Sequence, residues 1–236
     1  MPDNRFFTDE DFVLHKPVHL KEQEAHHITK VMRAKVSDNV EIINGKNKLA
    51  KGSIKEISSR HVTVEIEKIK QGNPPSFLLA LHCALPHPSK LDFIIEKATE
   101  LGVNEIHLFT GEKSKKIPFS DEKKQRAKKL CIAALKQSGR LILPTVYYYD
   151  SIYDYPQIQG AVFYGEMAPV TTKFPMAKAN AYHIFIGPES GLTEKEMTFI
   201  QKTLNGKPFT LNPYTLRAET AAICAVAVFN YLLSLE

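Results

Sequence analysis

The sequence predicts an α/β protein in two parts: a small antiparallel β-barrel, then a mostly parallel sheet covered by helices on both faces. Three patterns carry that expectation. Residues 40–69 form short alternating runs divided by polar turns, a stretch with glycine and paired prolines interrupts the chain near residue 73, and strand-like and helix-like segments alternate from there onward.

In the first part, VEIING, KGSIKEI and HVTVEIEKI are separated by Asn44-Gly45 and Ser58-Ser59, the spacing of antiparallel hairpins. Gln71-Gly72-Asn73-Pro74-Pro75-Ser76 can continue neither strand nor helix, which places a domain boundary between 1–72 and 73–236. Beyond it, FLLALHCAL (77–85) has the run of a buried strand. LDFIIEKATELG (91–102) is an amphipathic helix closed by Gly102, and EIHLFTG (105–111) is a strand. Further strands are predicted at 161–166 and 182–187, and helices at 193–204 and 218–234.

A basic helix lies between these segments. Ala127, Leu130, Cys131, Ala134 and Leu135 form one stripe, leaving Lys129 and Lys136 on the opposite side and Arg126 and Lys128 on its flanks. Lysine and arginine outnumber aspartate and glutamate by 13 to 11 in residues 1–70 and by 12 to 8 in 71–150, against 6 to 7 in 151–236. Within 113–140, ten basic residues face only Asp121 and Glu122, so a polyanion would be felt there first. Such a face is either simply solvated or a contact for RNA; the run Lys113–Lys116 and Arg140 at its ends favour RNA.

Composition excludes several classes. Hydrophobic content of 43% and charged content of 24% are those of an ordinary globular protein. No apolar run reaches the length of a membrane span, and MPDNRFFTDEDF lacks the features of a signal peptide, so a cytoplasmic protein is expected. Cys83, Cys131 and Cys224 are too scattered for a disulfide framework or a Cys-x-x-Cys metal site. The pair His26-His27 does not make a metal site either, since sequence neighbours do not converge on one ion, and no metal is expected. The glycines form neither Gly-x-Gly-x-x-Gly nor a phosphate-binding Gly-x-x-x-x-Gly-Lys-Ser/Thr. Gly187-Pro-Glu-Ser-Gly191 is no hydrolase elbow, because Glu189 occupies the position a serine nucleophile would need.

That last turn has a different chemistry. Thr193 and Glu196 are spaced as a capping box, so a helix begins at 193 and the loop before it is short and stiff. Pro188 removes an N–H and Glu189 would repel a phosphate, while Gly187 and Gly191 allow close backbone approach. The loop suits a neutral heterocycle joined to a cationic group, as in S-adenosyl-L-methionine; a plain strand-to-helix connection is the alternative. A second segment, LNPYTLRAETAAICAVAVFNYLL (211–233), joins a polar loop to a small-residue helix, with Arg217 and Glu219 at its start.

GPESG followed by TEKE, and later TLRAETAA, resemble the GPEGG and LRTETA signatures of the trefoil-knotted, SPOUT-class methyltransferases. Nearly the whole chain is similar to the ribosomal RNA small subunit methyltransferase E family, which modifies uridine at N3. Arg5-x-Phe7 and HHITKVMRAKVSD (26–38) resemble its opening PUA-like RNA-binding barrel. KLDFIIEKATELGV (90–103), GEKS (111–114) and KQSGR (136–140) resemble its middle motifs. Ser190 stands where the family usually has glycine, Ala218 where it has threonine, and Ala133 and Lys136 where acidic residues are common.

The resemblance implies a deep trefoil knot in residues 73–236, S-adenosyl-L-methionine as cofactor, small-subunit ribosomal RNA or the assembled subunit as partner, and a homodimer. The cofactor would lie among Gly165 and Glu166, the turn Gly187, Pro188, Glu189 and Gly191, and the threaded loop with Leu211, Leu216, Arg217 and Glu219. Gly165 and Glu166 otherwise read as an ordinary strand end, and the 218–234 helix as either dimer surface or core. Arg217 is the candidate catalytic cation for the uridine anion, or else a structural partner of Glu219 or Glu189. RNA contacts are expected from Arg5, His27, Arg33, Lys115, Lys116, Lys129, Lys136 and Arg140. A non-catalytic RNA-binding or ribosome-assembly factor, and methylation at another RNA position, are the alternative functions.

Overall fold

The computed structural model describes residues 5–58, 61–114, 118–166 and 178–235. The chain divides into two compact units, Met1–Pro74 with Ile132–Leu143, and Pro75–Cys131 with Pro144–Glu236.

The first unit is a five-stranded sheet of β1 (Arg5–Phe7), β2 (Pro17–Lys21), β3 (Asn39–Ile43), β4 (Lys48–Ile57) and β5 (His61–Gln71), in the order β1-β3-β4-β5-β2. The expected hairpins are present: β3 with β4 and β4 with β5 are antiparallel, as is β5 with β2. Gly45 turns the first hairpin at a φ of +71°, where the Asn44 side chain accepts the Lys46 N–H at 3.0 Å. The sequence did not announce β1, which pairs in parallel with β3. Phe6, Leu20, Ile28, Ile42, Ile54 and Val64 form the buried interior. Ile28 is supplied by a π-helical turn, His27–Val31, that continues the short helix α1 (Glu22–His26). Phe7, Ile43 and Leu135 make a second cluster with Ile132, Leu141 and Leu143, which is why a segment from beyond residue 73 belongs to this unit.

The second unit is a six-stranded sheet of β6 (Leu78–Ala84), β7 (Glu105–Phe109), β8 (Thr145–Tyr149), β9 (Ala161–Gly165), β10 (Ala181–Ile186) and β11 (Lys207–Phe209). The order is β11-β9-β10-β6-β7-β8 and every pairing is parallel. Helices α2 (Pro88–Glu100), α3 (Asp121–Ser138), α4 (Glu194–Lys202) and α5 (Ala218–Ser234), with a 3₁₀ turn at Ile152–Asp154, complete the chain's regular structure among the described residues. Alternation along β9 separates the layers. Phe163 meets Phe229 of α5 at 5.1 Å between ring centroids, whereas Val162 and Tyr164 cluster with Ile200 of α4, so helices cover both faces. Ala222, Ala225, Val226, Phe229 and Leu233 of α5 are buried, making that stripe core.

On the α4 face an unusual row of polar rings is buried. His82 stacks on Phe185 and His107, and its Nε2 lies 2.9 Å from Nδ1 of His183. No helix among the described residues is long and apolar enough to cross a membrane.

Strand order also marks a place for ligands. The connection after β6 runs toward β7 and β8, while the one after β10 runs toward β9 and β11, so the adjacent strands β6 and β10 form the switch point of the sheet. Ligands of open parallel sheets settle at the carboxyl ends of strands beside such a point.

Candidate active site

Loops leaving the carboxyl ends of β9, β10 and β11 enclose a cleft of about 100 Å³, or about 660 Å³ of open space once its solvent-filled mouth is included. From β9 come Gly165 and Glu166, and from β10 the turn with Gly187, Pro188, Glu189 and Gly191. The segment after β11 adds Leu211 and Leu216. These eight sequence-predicted residues, distant along the chain, are brought to one wall.

Each part of the wall is fixed locally. The Gly191 N–H donates to the Pro188 carbonyl at 2.8 Å, and Gly191 holds a φ of +73° that side-chain-bearing residues seldom adopt. A Cβ on Gly187 would stand 2.8 Å from the Leu192 backbone nitrogen, so the tight fold of the turn depends on its absence. The capping box is formed: Glu196 N–H donates to Thr193 Oγ1 at 3.1 Å and Thr193 N–H to Glu196 Oε2 at 2.7 Å. Glu166 N–H donates to the Phe209 carbonyl at 2.9 Å, joining two of the loops. Beside the turn, Glu189 Oε1 accepts the His87 N–H at 3.2 Å, and Lys113 donates to the Ser190 carbonyl at 3.2 Å.

The chemistry of the wall is one-sided. No lysine, arginine or histidine lines it among the described residues, whereas Glu166 and Glu189 do, with backbone amides, carbonyls and apolar groups around them. Such a donor set repels phosphate and welcomes a cation attached to a flat heterocycle. Cys83, near the turn, is no nucleophile: burial, and then the Glu189 charge, push its thiol up to about 12.

Arg217 and Glu219 do not line the cleft. Arg217 is the exposed N-cap of α5, without an ion pair among the described residues. Glu219 is buried and paired to Lys90 at 2.8 Å, and that hydrogen bond is the main reason its carboxyl titrates below the usual range. The two structural partners weighed for Arg217 are therefore engaged elsewhere, Glu189 with the His87 amide and Glu219 with Lys90.

The candidate RNA contacts are scattered. Arg5 is ion-paired to Glu41 at 2.7 Å, and Lys136 to Glu24 at 2.7 Å with both side chains mostly covered. Lys136 thus adds no free charge to an outward face, contrary to its reading from helical spacing; the carboxylate that claims it lies 112 residues away. His27 is half-buried with its ring edge-on to Phe6, and Arg140 is half-buried with a partner inside the protein. Arg33 and Lys129 are exposed, while Lys115 and Lys116 lie outside the described residues. Among the described residues no cluster of His, Cys, Asp and Glu is arranged to hold a metal ion.

Asn212 and Tyr214 line the cleft within the threaded loop 211–217 that the resemblance implied, though sequence reasoning did not single them out; it missed Thr210 just before that loop and Ala218 and Ala221 at the α5 side. Only Asn212 carried a local signal, as it accepts the Tyr214 N–H at 2.8 Å in a side-chain turn.

Comparison with known proteins gives matches along the chain. The profile of an RNA methyltransferase domain matches residues 73–230, and that of an RNA methyltransferase PUA domain residues 20–67. A ribosomal RNA small subunit methyltransferase E of Mesomycoplasma hyopneumoniae is 34% identical over 164 residues, covering 67% of this chain and 71% of the relative. The protein of the same description from Buchnera aphidicola is 27% identical over 235 residues, covering 96% and 92%. In fold, the chain resembles the crystal structure of a ribosomal RNA small subunit methyltransferase E from Neisseria gonorrhoeae bound to S-adenosyl methionine, with a TM-score of 0.85, 23% identity and 97% coverage of both chains.

Proposed function

The chain belongs to the ribosomal RNA small subunit methyltransferase E family, and on that premise we propose that it transfers a methyl group from S-adenosyl-L-methionine to N3 of a uridine in small-subunit (16S) ribosomal RNA. The observation that carries the reading is the cleft at the ends of β9, β10 and β11, lined among the described residues by two carboxylates and no basic side chain. It fits a ligand whose reactive centre is a sulfonium and which carries no phosphate.

Bound S-adenosyl-L-methionine supplies an activated methyl group, so the protein's task is alignment rather than activation. Gly187 and Gly191 would let the backbone approach the cofactor closely, and Glu166 and Glu189 would set a negative field favouring its cation. The acceptor imide must lose its N3 proton, which spreads charge onto its carbonyl oxygens. Arg217, exposed at the start of α5 and without an ion pair among the described residues, is the cation assigned to that anion. Leu211 and Leu216 would give the cofactor an apolar wall from the loop after β11, and Glu219 supports the start of α5 through Lys90.

Residues 1–72 serve as a PUA-like RNA-binding domain and 73–236 as the trefoil-knot catalytic domain. RNA is met by Arg33, by Lys129 and its neighbours on α3, and by Lys115 and Lys116. The protein works in the cytoplasm as a homodimer, a pairing supported by the exposed apolar side chains of Phe93 on α2 and Tyr231 and Leu235 at the end of α5.

The test is mass mapping of nucleosides after unmethylated small-subunit RNA, or the assembled particle, is incubated with the protein and S-adenosyl-L-methionine. The expected product is 3-methyluridine at one position. A methyl group on another atom, or none, overturns the assignment.

A further inference from the structure

A second and larger cavity, with about 970 Å³ of open space, lies on the same carboxyl edge of the parallel sheet, at the ends of β6, β7 and β8 between α2 and α3. Among the described residues it shares no lining residue with the first cleft. The turns after β6 and β10 stand between the two, joined by the bond from His87 N–H to Glu189 Oε1. We propose that this second cavity seats an unpaired base of the RNA, other than the base that accepts the methyl group; the inference rests on the RNA methyltransferase reading above.

The walls have the chemistry of a base-stacking site. Leu85, Leu91 and Leu108 line it with the rings of Phe119 and Tyr148, whose centroids are 4.7 Å apart. Flat apolar and aromatic walls bind the faces of bases, and unpaired bases are the part of an RNA that can be splayed into such a site. Burial pushes the Tyr148 phenol up to about 12.

The mouth has the chemistry of a phosphate contact. Lys123 and Arg126 stand on it, and the Lys124 ammonium lies 5.7 Å from the centre of the Tyr148 ring. Arg126 is held by Asp92, its Nε donating at 2.9 and 3.1 Å, which ties α3 to α2 across the opening. An apolar pocket with Lys123 and the Asp92-paired Arg126 at its rim, and Lys124 beside its aromatic wall, matches a nucleotide better than an uncharged lipid or an apolar peptide side chain.

The experiment uses the full chain with a single-stranded RNA oligonucleotide carrying 4-thiouridine at each position in turn. After irradiation, the attached peptides are identified by mass spectrometry. Attachment to Phe119 or Tyr148 from a position other than the methyl acceptor is expected. Two variants accompany it: Ala127→Leu, which fills the cavity from α3, and Phe119→Ala, which removes a stacking wall. Each is expected to weaken RNA binding roughly tenfold, the order of one stacked base, with affinity for S-adenosyl-L-methionine unchanged. A protein that binds the cofactor and methylates RNA, yet gives no attachment at either ring and binds RNA normally in both variants, overturns this inference alone. A protein that binds no RNA at all overturns the underlying reading with it.

Discussion

The buried carboxylate of Glu196 accepts the backbone N–H of Glu112 at 2.9 Å through one oxygen and that of Thr193 at 2.7 Å through the other. Thr193 in turn donates its hydroxyl to Glu112 at 2.7 Å, and the Tyr153 hydroxyl reaches the same carboxylate at 3.0 Å. One side chain therefore caps α4, stiffens the 187–192 turn from behind and binds it to the loop after β7.

Glu196→Gln keeps the shape but turns one amide N–H₂ toward a backbone N–H that needs an acceptor. The variant should lose about 1–3 kcal/mol of stability in urea titration and bind S-adenosyl-L-methionine more weakly. Unchanged stability would show that the link is dispensable.

The buried histidines make stability depend on pH. Burial is the largest cause lowering the titration of His82, His107 and His183 below 6.5, and for His107 the bond to Glu105 opposes it only in part. The unfolded chain then binds protons first as the pH falls, so stability is full above about 6.5 and declines below it. The decline should be at most about 1.4 kcal/mol per pH unit for each histidine. Thermal melts from pH 7.5 to 5 should show it, with a shallower slope in His82→Phe, where the ring stack survives without one titrating group. Equal slopes would contradict this origin.

Lys90→Met leaves the buried Glu219 carboxylate without its partner at the first turn of α5. Because the bond to Lys90 depresses the Glu219 titration, its contribution is present above about pH 4.5 and is lost as the pH falls through the depressed value. The variant should be about 1 kcal/mol less stable at pH 7, Lys90 being partly solvated, and should converge on the wild type in acid. A constant difference at all pH values would assign the effect to packing.

Replacing Lys124, Lys128 and Lys129 by glutamine should flatten the salt dependence of RNA binding, since each phosphate contact contributes roughly 0.7–0.9 to the log–log slope. Filter binding between 50 and 200 mM salt, on the order used to read such slopes, measures it. A slope identical to the wild type would remove α3 from the RNA surface.

Local rules reached the parts of this fold that are decided locally. The capping box, the Asn44-Gly45 hairpin and the glycines of the 187–192 turn are each settled within a few residues, and each stands as the sequence reads. The three-residue strand β11, with Pro208 at its centre, and the partly exposed edge strand β8 have no comparable pattern. The parallel pairing of β1 with β3 joins Arg5–Phe7 to Glu41–Ile43, a register set by burial of Phe6 and Ile42 rather than by either segment alone. The cleft follows the same division. Its glycines and Pro188 were legible from conformational demands, but Thr210, Tyr214 and Ala221 line it only because a distant segment returns to the ends of β9 and β10. Charge was the least legible: nothing near Lys136 or Arg5 in sequence shows that Glu24 and Glu41 neutralise them.

The central claim, that the turn after β10 and the loop after β11 close around a sulfonium-bearing cofactor, is tested most directly by calorimetric titration of S-adenosyl-L-methionine into the wild type and into Gly187→Val. Saturable binding at one site per chain is predicted for the wild type, and at least a tenfold loss for the variant, whose side chain would collide with the Leu192 amide. No binding by the wild type, or equal affinity in the two proteins, would contradict it.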